Sequence, residues 1–236
     1  MSYVAVVDYG MGNLRSVSKA IEHVAGGLPV RVTSDPTVVR GAQRVVFPGQ
    51  GAMPDCMREL DARGLRPAVI EAAQSKPFLG ICIGLQMLFD LSDEGGVGGL
   101  GLLKGRVVRF PVAHMVAADG SKLKVPHMGW NEVQHTLGHP LWEGIASGTR
   151  FYFVHSFYPV PEEPAIVAGY TCYPFAFTCA VARANLFAVQ FHPEKSQAAG
   201  LKLLANFVGW DGVYRARPGA AELPRLGPES LAVQQP

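Results

Sequence analysis

Ten residues, Pro77-Phe-Leu-Gly-Ile-Cys-Ile-Gly-Leu-Gln86, restrict the fold of this chain more than any other stretch. The apolar run at 77–81 reads as a buried strand. Cys82 follows at once, and residues 83–89 read as the start of a helix. A strand that turns directly into a helix, with Gly80 and Gly84 on either side, is an elbow. Glycine lets neighbouring backbone pass close and makes unusual dihedrals cheap. The elbow lifts one side chain clear of the sheet, here a thiol, at the positive end of a helix dipole that favours thiolate. The alternative is a small buried hydrophobe, the commoner fate of a lone cysteine in an apolar run. The flanking glycines weigh against it. So does a second motif, Gln190-Phe-His-Pro-Glu-Lys-Ser196, at the end of the apolar run 188–191.

The first half of the chain alternates. Residues 3–7 form a short β-rich run, 14–24 a helical pattern with apolar residues at 14, 17, 21 and 24, and 30–32 another strand. Ser34-Asp35-Pro36 marks a helix start. A third strand at 44–47 ends in the glycine-rich loop Pro48-Gly-Gln-Gly-Ala52, and 57–73 is helical. Strands alternating with helices argue for a mostly parallel, doubly wound sheet, which binds ligands beyond the carboxyl ends of its strands. Asp8, Gly49 and Cys82 fall at such ends. Gly10-Met-Gly12 lacks the third glycine of a dinucleotide fingerprint.

The second half is richer in strands and is expected to be partly antiparallel. Residues 94–101 read as a flexible loop and 105–112 as a strand. Residues 125–131 read as a loop, and the aromatic-rich 151–158 as one strand. Further β segments follow at 166–172, 175–184 and 186–191, then a closing helix at 197–208. From Arg215 on, Pro, Gly, Ala and Glu dominate, and the tail 211–236 is expected to be loosely ordered.

The 236 residues suit a single α/β domain, and a net charge of +2 gives no field for nucleic acid or anionic membrane. No apolar run is long enough to span a bilayer, and no basic flank precedes the first apolar run, so cytoplasm is the default. Cysteines at 56, 82, 172 and 179 form no Cys-x-x-Cys pair. Cys172 and Cys179 are expected as free thiols. His135 and His139 stand four apart beside Gly138 and Pro140, a poor helix without a third ligand. They read as surface histidines, and neither metal nor cofactor is implied.

A nucleophilic Cys82 needs a base, and the base needs an orienting group. His192 and Glu194 are two apart, so on extended backbone they point to one side, and Pro193 restricts the backbone between them. One imidazole nitrogen can donate to the carboxylate while the other faces the thiol, a Cys-His-Glu triad. An oxyanion would lie between the N–H of Ile83 and an N–H within Gly49, Gln50 and Gly51. From the residues alone this is a thiol-dependent acyl-transfer enzyme with its substrate open.

The motifs Gly80-Ile-Cys-Ile-Gly-Leu-Gln86 and Phe191-His-Pro-Glu194 resemble the signature of the class I, or triad, glutamine amidotransferases. Asp8-Tyr-Gly-Met-Gly-Asn-Leu14, Pro48-Gly-Gln-Gly51, Met128-Gly-Trp-Asn131, Tyr152-Phe-Val-His-Ser156 and His192-Pro-Glu-Lys-Ser196 are similar to the glutaminase subunits of imidazole glycerol phosphate synthase. The resemblance covers about residues 3–210. It implies a three-layer, flavodoxin-like α/β fold with a mostly parallel central sheet and an antiparallel extension, in one domain over 1–210. It implies hydrolysis of glutamine by Cys82, His192 and Glu194. Gln86 and Glu94 would hold the substrate, Glu94 through its α-ammonium, and the backbone around His155 and Ser156 would hold the α-carboxylate. Asn13, Met128, Trp130, Tyr152 and Lys195 would face a (β/α)8-barrel cyclase partner in a heterodimer and the exit for ammonia. Gln50 departs from the pattern, which expects a small or apolar residue in a loop that reorients with the partner. Another triad amidotransferase, a stand-alone γ-glutamyl hydrolase and a catalytically silent subunit are the rival readings.

Overall fold

A computed structural model describes residues 2–117, 119–214 and 223–228. The first half alternates as expected: β1 (Val4–Val7), α1 (Leu14–Val24), β2 (Val30–Thr33), α2 (Pro36–Gly41), β3 (Arg44–Gly49), α3 (Met53–Ala62), α4 (Arg66–Ser75), β4 (Phe78–Cys82) and α5 (Ile83–Gln86). Local chemistry explains the ends. Asp35 accepts the Thr37 N–H at 2.7 Å and Pro36 follows it, so α2 starts there. In α1, Val17 and Ile21 turn inward at helical spacing.

Strands dominate the second half: β5 (Phe89–Ser92), β6 (Val97–Gly98), β7 (Leu103–Arg109), β8 (His127–His135), β9 (Thr149–His155), β10 (Phe157–Pro161), β11 (Val167–Cys172), β12 (Ala176–Arg183) and β13 (Leu186–Val189), before α6 (Gln197–Gly209). Among the described residues one nine-stranded sheet runs β2-β1-β3-β4-β13-β12-β11-β8-β9, and a four-stranded sheet runs β10-β7-β5-β6. The large sheet is parallel from β2 to β13 and antiparallel from β13 to β9. The strands β1, β3, β4 and β13 are buried along their whole length, which is why they read as unbroken apolar runs rather than alternations.

Several expectations need correction. The helix after Cys82 is a single turn, because Phe89 pairs with Leu103 and enters β5. A macrodipole summed over so few peptides is small, so the dipole contributes little to the thiol. Residues 127–131 are strand, not loop, since β9 supplies them with a full antiparallel partner. The run at 151–158 is broken at Ser156 into two strands that belong to different sheets. Residues 97–98 pair with β5 in a short hairpin rather than remaining loop.

His135 and His139 are not surface histidines. His135 stacks on Trp142 with ring centroids 4.1 Å apart, and His139 is buried against Phe187, Trp210 and Tyr214. Burial pulls their pKa values down to about 4 and about 3. All four cysteines are free. Of the tail, residues 215–222 and 229–236 lie outside the described residues. Residues 223–228 return to the sheet, where the Gly227 N–H donates to the Ala176 carbonyl at 2.7 Å. No helix among the described residues is long and apolar enough to cross a membrane.

Candidate active site

β4 lies between β3 and β13, so the carboxyl ends of these three strands converge. The register sets Gly49 opposite Cys82 and Val189 opposite Ile81. Gln190 is therefore beside Cys82, and His192 follows after one more pair of residues. Cys82 sits at φ 56°, ψ −111°, a conformation that costs a non-glycine residue on the order of 1–3 kcal/mol. The elbow holds it there because the turn presses onto β3. A Cβ on Gly84 would overlap the Phe47 carbonyl oxygen, and one on Gly49 would meet Ile83 Cβ at 2.7 Å. Both positions admit only glycine if the turn is to approach the strand this closely.

A cavity of about 260 Å³ opens above the elbow. Gln50, Gly51, Cys82, Ile83, Gln86, Glu94, His155, Ser156 and His192 line it, with Pro126, Val154 and Phe157. Of the catalytic, oxyanion and substrate residues expected from sequence, Gly49 and Glu194 lie behind this wall. Gly49 is covered by the elbow. Glu194 backs His192: His192 Nδ1 is 2.9 Å from Glu194 Oε1, and the two side chains are 6% and 1% exposed. His192 Nε2 is buried without a hydrogen-bond partner. Burial lowers the pKa of His192, but Cys82 and then Glu194 outweigh it and raise it to about 10.

The backbone around His192 is fixed as well. Its N–H donates to the Tyr152 carbonyl at 2.9 Å, and Ser196 Oγ donates to the His192 carbonyl at 2.7 Å while accepting the Tyr152 N–H at 3.0 Å. Ser196 was legible only as part of the motif.

Gln86 is 1% exposed. Its Nε2 donates to the Phe157 carbonyl at 3.1 Å and to Gln190 Oε1 at 3.0 Å, while its Oε1 has no partner. A free acceptor on the cavity wall suits a ligand N–H. Glu94 Oε2 accepts the Met53 N–H at 2.8 Å, which caps α3 and fixes the carboxylate at the cavity rim. The Gln50 side chain is exposed, and its carbonyl accepts from Cys56 Sγ at 3.6 Å. Sequence reasoning missed Gln190. It is fully buried, and its Nε2 donates to Cys82 Sγ at 3.8 Å. The strand register was the signal for it, and register is invisible before the sheet is assembled.

Four of the residues expected at the partner surface, Met128, Trp130, Tyr152 and Lys195, fall on β8, β9 and the turn after His192. Met128 and Trp130 are 61% and 43% exposed. Trp130 meets Tyr152 edge to face at 6.1 Å, and Lys195 Nζ lies 5.9 Å from the Tyr152 ring centre. Asn13 is half-buried at the start of α1 and makes no side-chain cap there.

The chain matches the family model described as glutamine amidotransferase class-I over residues 5–209. It is 70% identical over 210 residues to imidazole glycerol phosphate synthase subunit HisH of Aromatoleum aromaticum, covering 89% of this chain and 99% of that protein. The identity to the HisH subunit of Nitrosospira multiformis is 65% over 213 residues, 90% of this chain and 100% of the relative. Among solved structures, a chain of PurLQS from Thermotoga maritima superposes with TM-score 0.65 at 19% identity, over 88% of this chain and 98% of that one. A glutamine amidotransferase from Thermotoga maritima gives TM-score 0.55 at 15% identity, over 82% and 76%. These two structures speak for the fold alone. With an α/β fold whose large sheet is parallel at one end and antiparallel at the other, the chain belongs to the class-I glutamine amidotransferases and, within them, to the HisH subunits of imidazole glycerol phosphate synthase.

Proposed function

We propose that this chain hydrolyses L-glutamine to glutamate and ammonia through Cys82, His192 and Glu194, and passes the ammonia to a (β/α)8-barrel cyclase subunit in a heterodimer. The observation that carries the reading is the partnerless Nε2 of His192, buried on the same small cavity as Cys82 and backed by Glu194 through Nδ1.

Glutamine enters with its α-ammonium at Glu94 and an N–H on Gln86 Oε1. Its α-carboxylate lies against the backbone at His155 and Ser156. The Cys82 thiolate attacks the γ-carbonyl carbon. The resulting oxyanion is held by the N–H of Ile83 and an N–H within Gly49, Gln50 and Gly51; losing one such donor typically costs about 10²–10³ in rate. The C–N bond breaks as His192 Nε2 gives its proton to the departing nitrogen, releasing ammonia. Water, deprotonated by the now neutral His192, attacks the thioester. Glutamate leaves and the thiolate–imidazolium pair returns. Glu194 holds the ring in one tautomer and offsets its charge throughout.

The surface carrying Asn13, Met128, Trp130, Tyr152 and Lys195 receives the cyclase. The partner uses the ammonia on N'-(5'-phosphoribulosyl)formimino-5-aminoimidazole-4-carboxamide ribonucleotide. The products are imidazole glycerol phosphate and aminoimidazole carboxamide ribotide, a step of histidine biosynthesis placed in the cytoplasm. The exposed pair Met128 and Trp130 supports an interface there, since large apolar side chains at a surface gain by being covered. Glutamate release, measured with and without the barrel partner and its nucleotide ligand, tests the coupling. A rate that rises with the loaded partner and vanishes in Cys82→Ala is expected. Equal rates in both conditions would favour a stand-alone hydrolase.

A further inference from the structure

β8 and β9 bring two histidines face to face behind the cavity wall. His127 pairs with His155 across the strands, and His127 Nδ1 lies 2.9 Å from His155 Nε2. Both rings are buried. Their tautomers follow from the groups at the two ends of the chain of contacts. The Phe157 carbonyl can only accept, and it is 2.8 Å from His155 Nδ1, so Nδ1 carries the hydrogen. In a neutral ring His155 Nε2 is then an acceptor and takes the hydrogen of His127 Nδ1. His127 Nε2 is left to accept from Asn131 Nδ2 at 3.2 Å. The Asn131 amide cannot be turned over. Its Nδ2 donates to the Cys172 carbonyl at 2.9 Å and its Oδ1 accepts the Glu132 N–H at 2.8 Å.

Every donor between Asn131 and Phe157 therefore points the same way. A proton added to either ring would set two N–H groups against each other. Burial acts in the same direction, lowering the pKa of His127 to about 4 and of His155 to about 3.

The far end of this chain is the substrate wall. The Phe157 carbonyl also accepts from Gln86 Nε2, and Gln86 is joined through Gln190 to the Cys82 sulfur. The near end is the outer strand. Along β8 His127 and Val133 are buried and Asn131 is half-buried, while Met128, Trp130 and Glu132 are exposed. One strand thus presents Met128 and Trp130 outward and holds the hydrogen-bond chain inward.

We propose that His127 is a positioning residue: with His155 it forms a one-way chain of neutral imidazole hydrogen bonds that fixes the Phe157 carbonyl, and through it Gln86, relative to the outward-facing strand β8. The consequence for turnover rests on the glutaminase reading, because Gln86 Oε1 is the acceptor left for substrate.

The test uses the full chain in complex with its barrel partner. His127→Phe keeps a ring against Tyr173, whose centroid is 4.1 Å away, and removes both nitrogens. His127→Asn restores a donor near the position of Nδ1. The expected result is a rise of about tenfold in the glutamine KM of His127→Phe with kcat changed less than about threefold, most of it recovered in His127→Asn. Imidazole-nitrogen NMR of the unsubstituted chain should show both rings neutral with hydrogen on Nδ1. An unchanged KM in His127→Phe, a rise that His127→Asn does not relieve, or an Nε2–H tautomer at either ring overturns the proposal. Should His127→Phe not fold, Asn131→Asp places an acceptor against His127 Nε2 and must move the hydrogen there and raise KM; a ring that keeps its tautomer also overturns it. If the unsubstituted complex releases no glutamate at all, the glutaminase reading falls, and the tautomer spectra alone decide the hydrogen-bond chain.

Discussion

His192 Nδ1 lies 2.9 Å from Glu194 Oε1, two residues along the chain, with both side chains sealed from solvent. The short loop makes this pair almost unavoidable once Pro193 restricts the backbone. The Cys82 elbow, 110 residues earlier in sequence, then has only to meet the free face of the ring.

Glu194→Gln keeps the shape and removes the charge that helps hold His192 protonated. Glutamate release at saturating glutamine should fall by about 10²–10⁴-fold, the range for losing one member of an acid–base system. Because Glu194 is one of the groups raising the His192 pKa, the alkaline limb of the rate profile should move to lower pH. A full pH–rate profile of the complex checks both.

Glu94 accepts the Met53 N–H at the start of α3, and the proposed function also assigns it the α-ammonium of glutamine. Glu94→Ala loses both, and Glu94→Gln keeps an acceptor for the cap. The glutamine KM should rise about 10- to 100-fold in each, the equivalent of one charge-assisted hydrogen bond. Only Glu94→Ala should also lose about 1 kcal/mol in urea unfolding.

Gly84→Ala drives a methyl group into the Phe47 carbonyl. The elbow must lift off β3, which should cost about 3 kcal/mol of stability and release the strain that presents Cys82. Gly209→Ala is the control: nothing lies within 4 Å of an added Cβ there. Urea midpoints of the two variants should differ accordingly, with glutaminase activity lost only in the first.

His139 and His155 are buried neutral, with pKa values near 3 against about 6.5 in the unfolded chain. Their lowered pKa makes the stability they contribute complete above about pH 6.5 and progressively lost as pH falls toward 3. Each adds a slope of about 1.4 kcal/mol per pH unit across that window. His192 acts in the opposite sense: raised to about 10, it stabilises fully below about pH 6.5 and loses this as pH rises through 10. Urea midpoints should therefore fall on the acid side, and His139→Leu should flatten that fall by one proton's worth.

The parts of this site that were legible in the sequence are those written into a few adjacent residues. Gly80, Cys82 and Gly84 encode the elbow by sterics. His192, Pro193 and Glu194 encode the close imidazole–carboxylate pair, although the backbone from Pro193 to Lys195 is a 3-10 turn rather than the extended, alternating chain expected. The spacing at 14, 17, 21 and 24 gave α1 its observed limits. Gln190 and His127 were not legible in the same way. Gln190 gains its role from a strand register that sets it against a sulfur 108 residues away. His127 gains its role from β9, which pairs with it only after the intervening chain has folded back.

The sequence by itself determined the glycine-flanked elbow at Cys82, the neighbouring His192 and Glu194, the alternating first half and the family. Dihedral limits and side-chain periodicity act over neighbouring residues and need nothing else. The tertiary structure alone decided how short α5 is, that residues 127–131 are a strand, that Ser156 divides two sheets, and which histidines are buried. Each of these depends on a partner strand or an aromatic cluster far away in the chain, and such pairings exist only once the sheet has assembled.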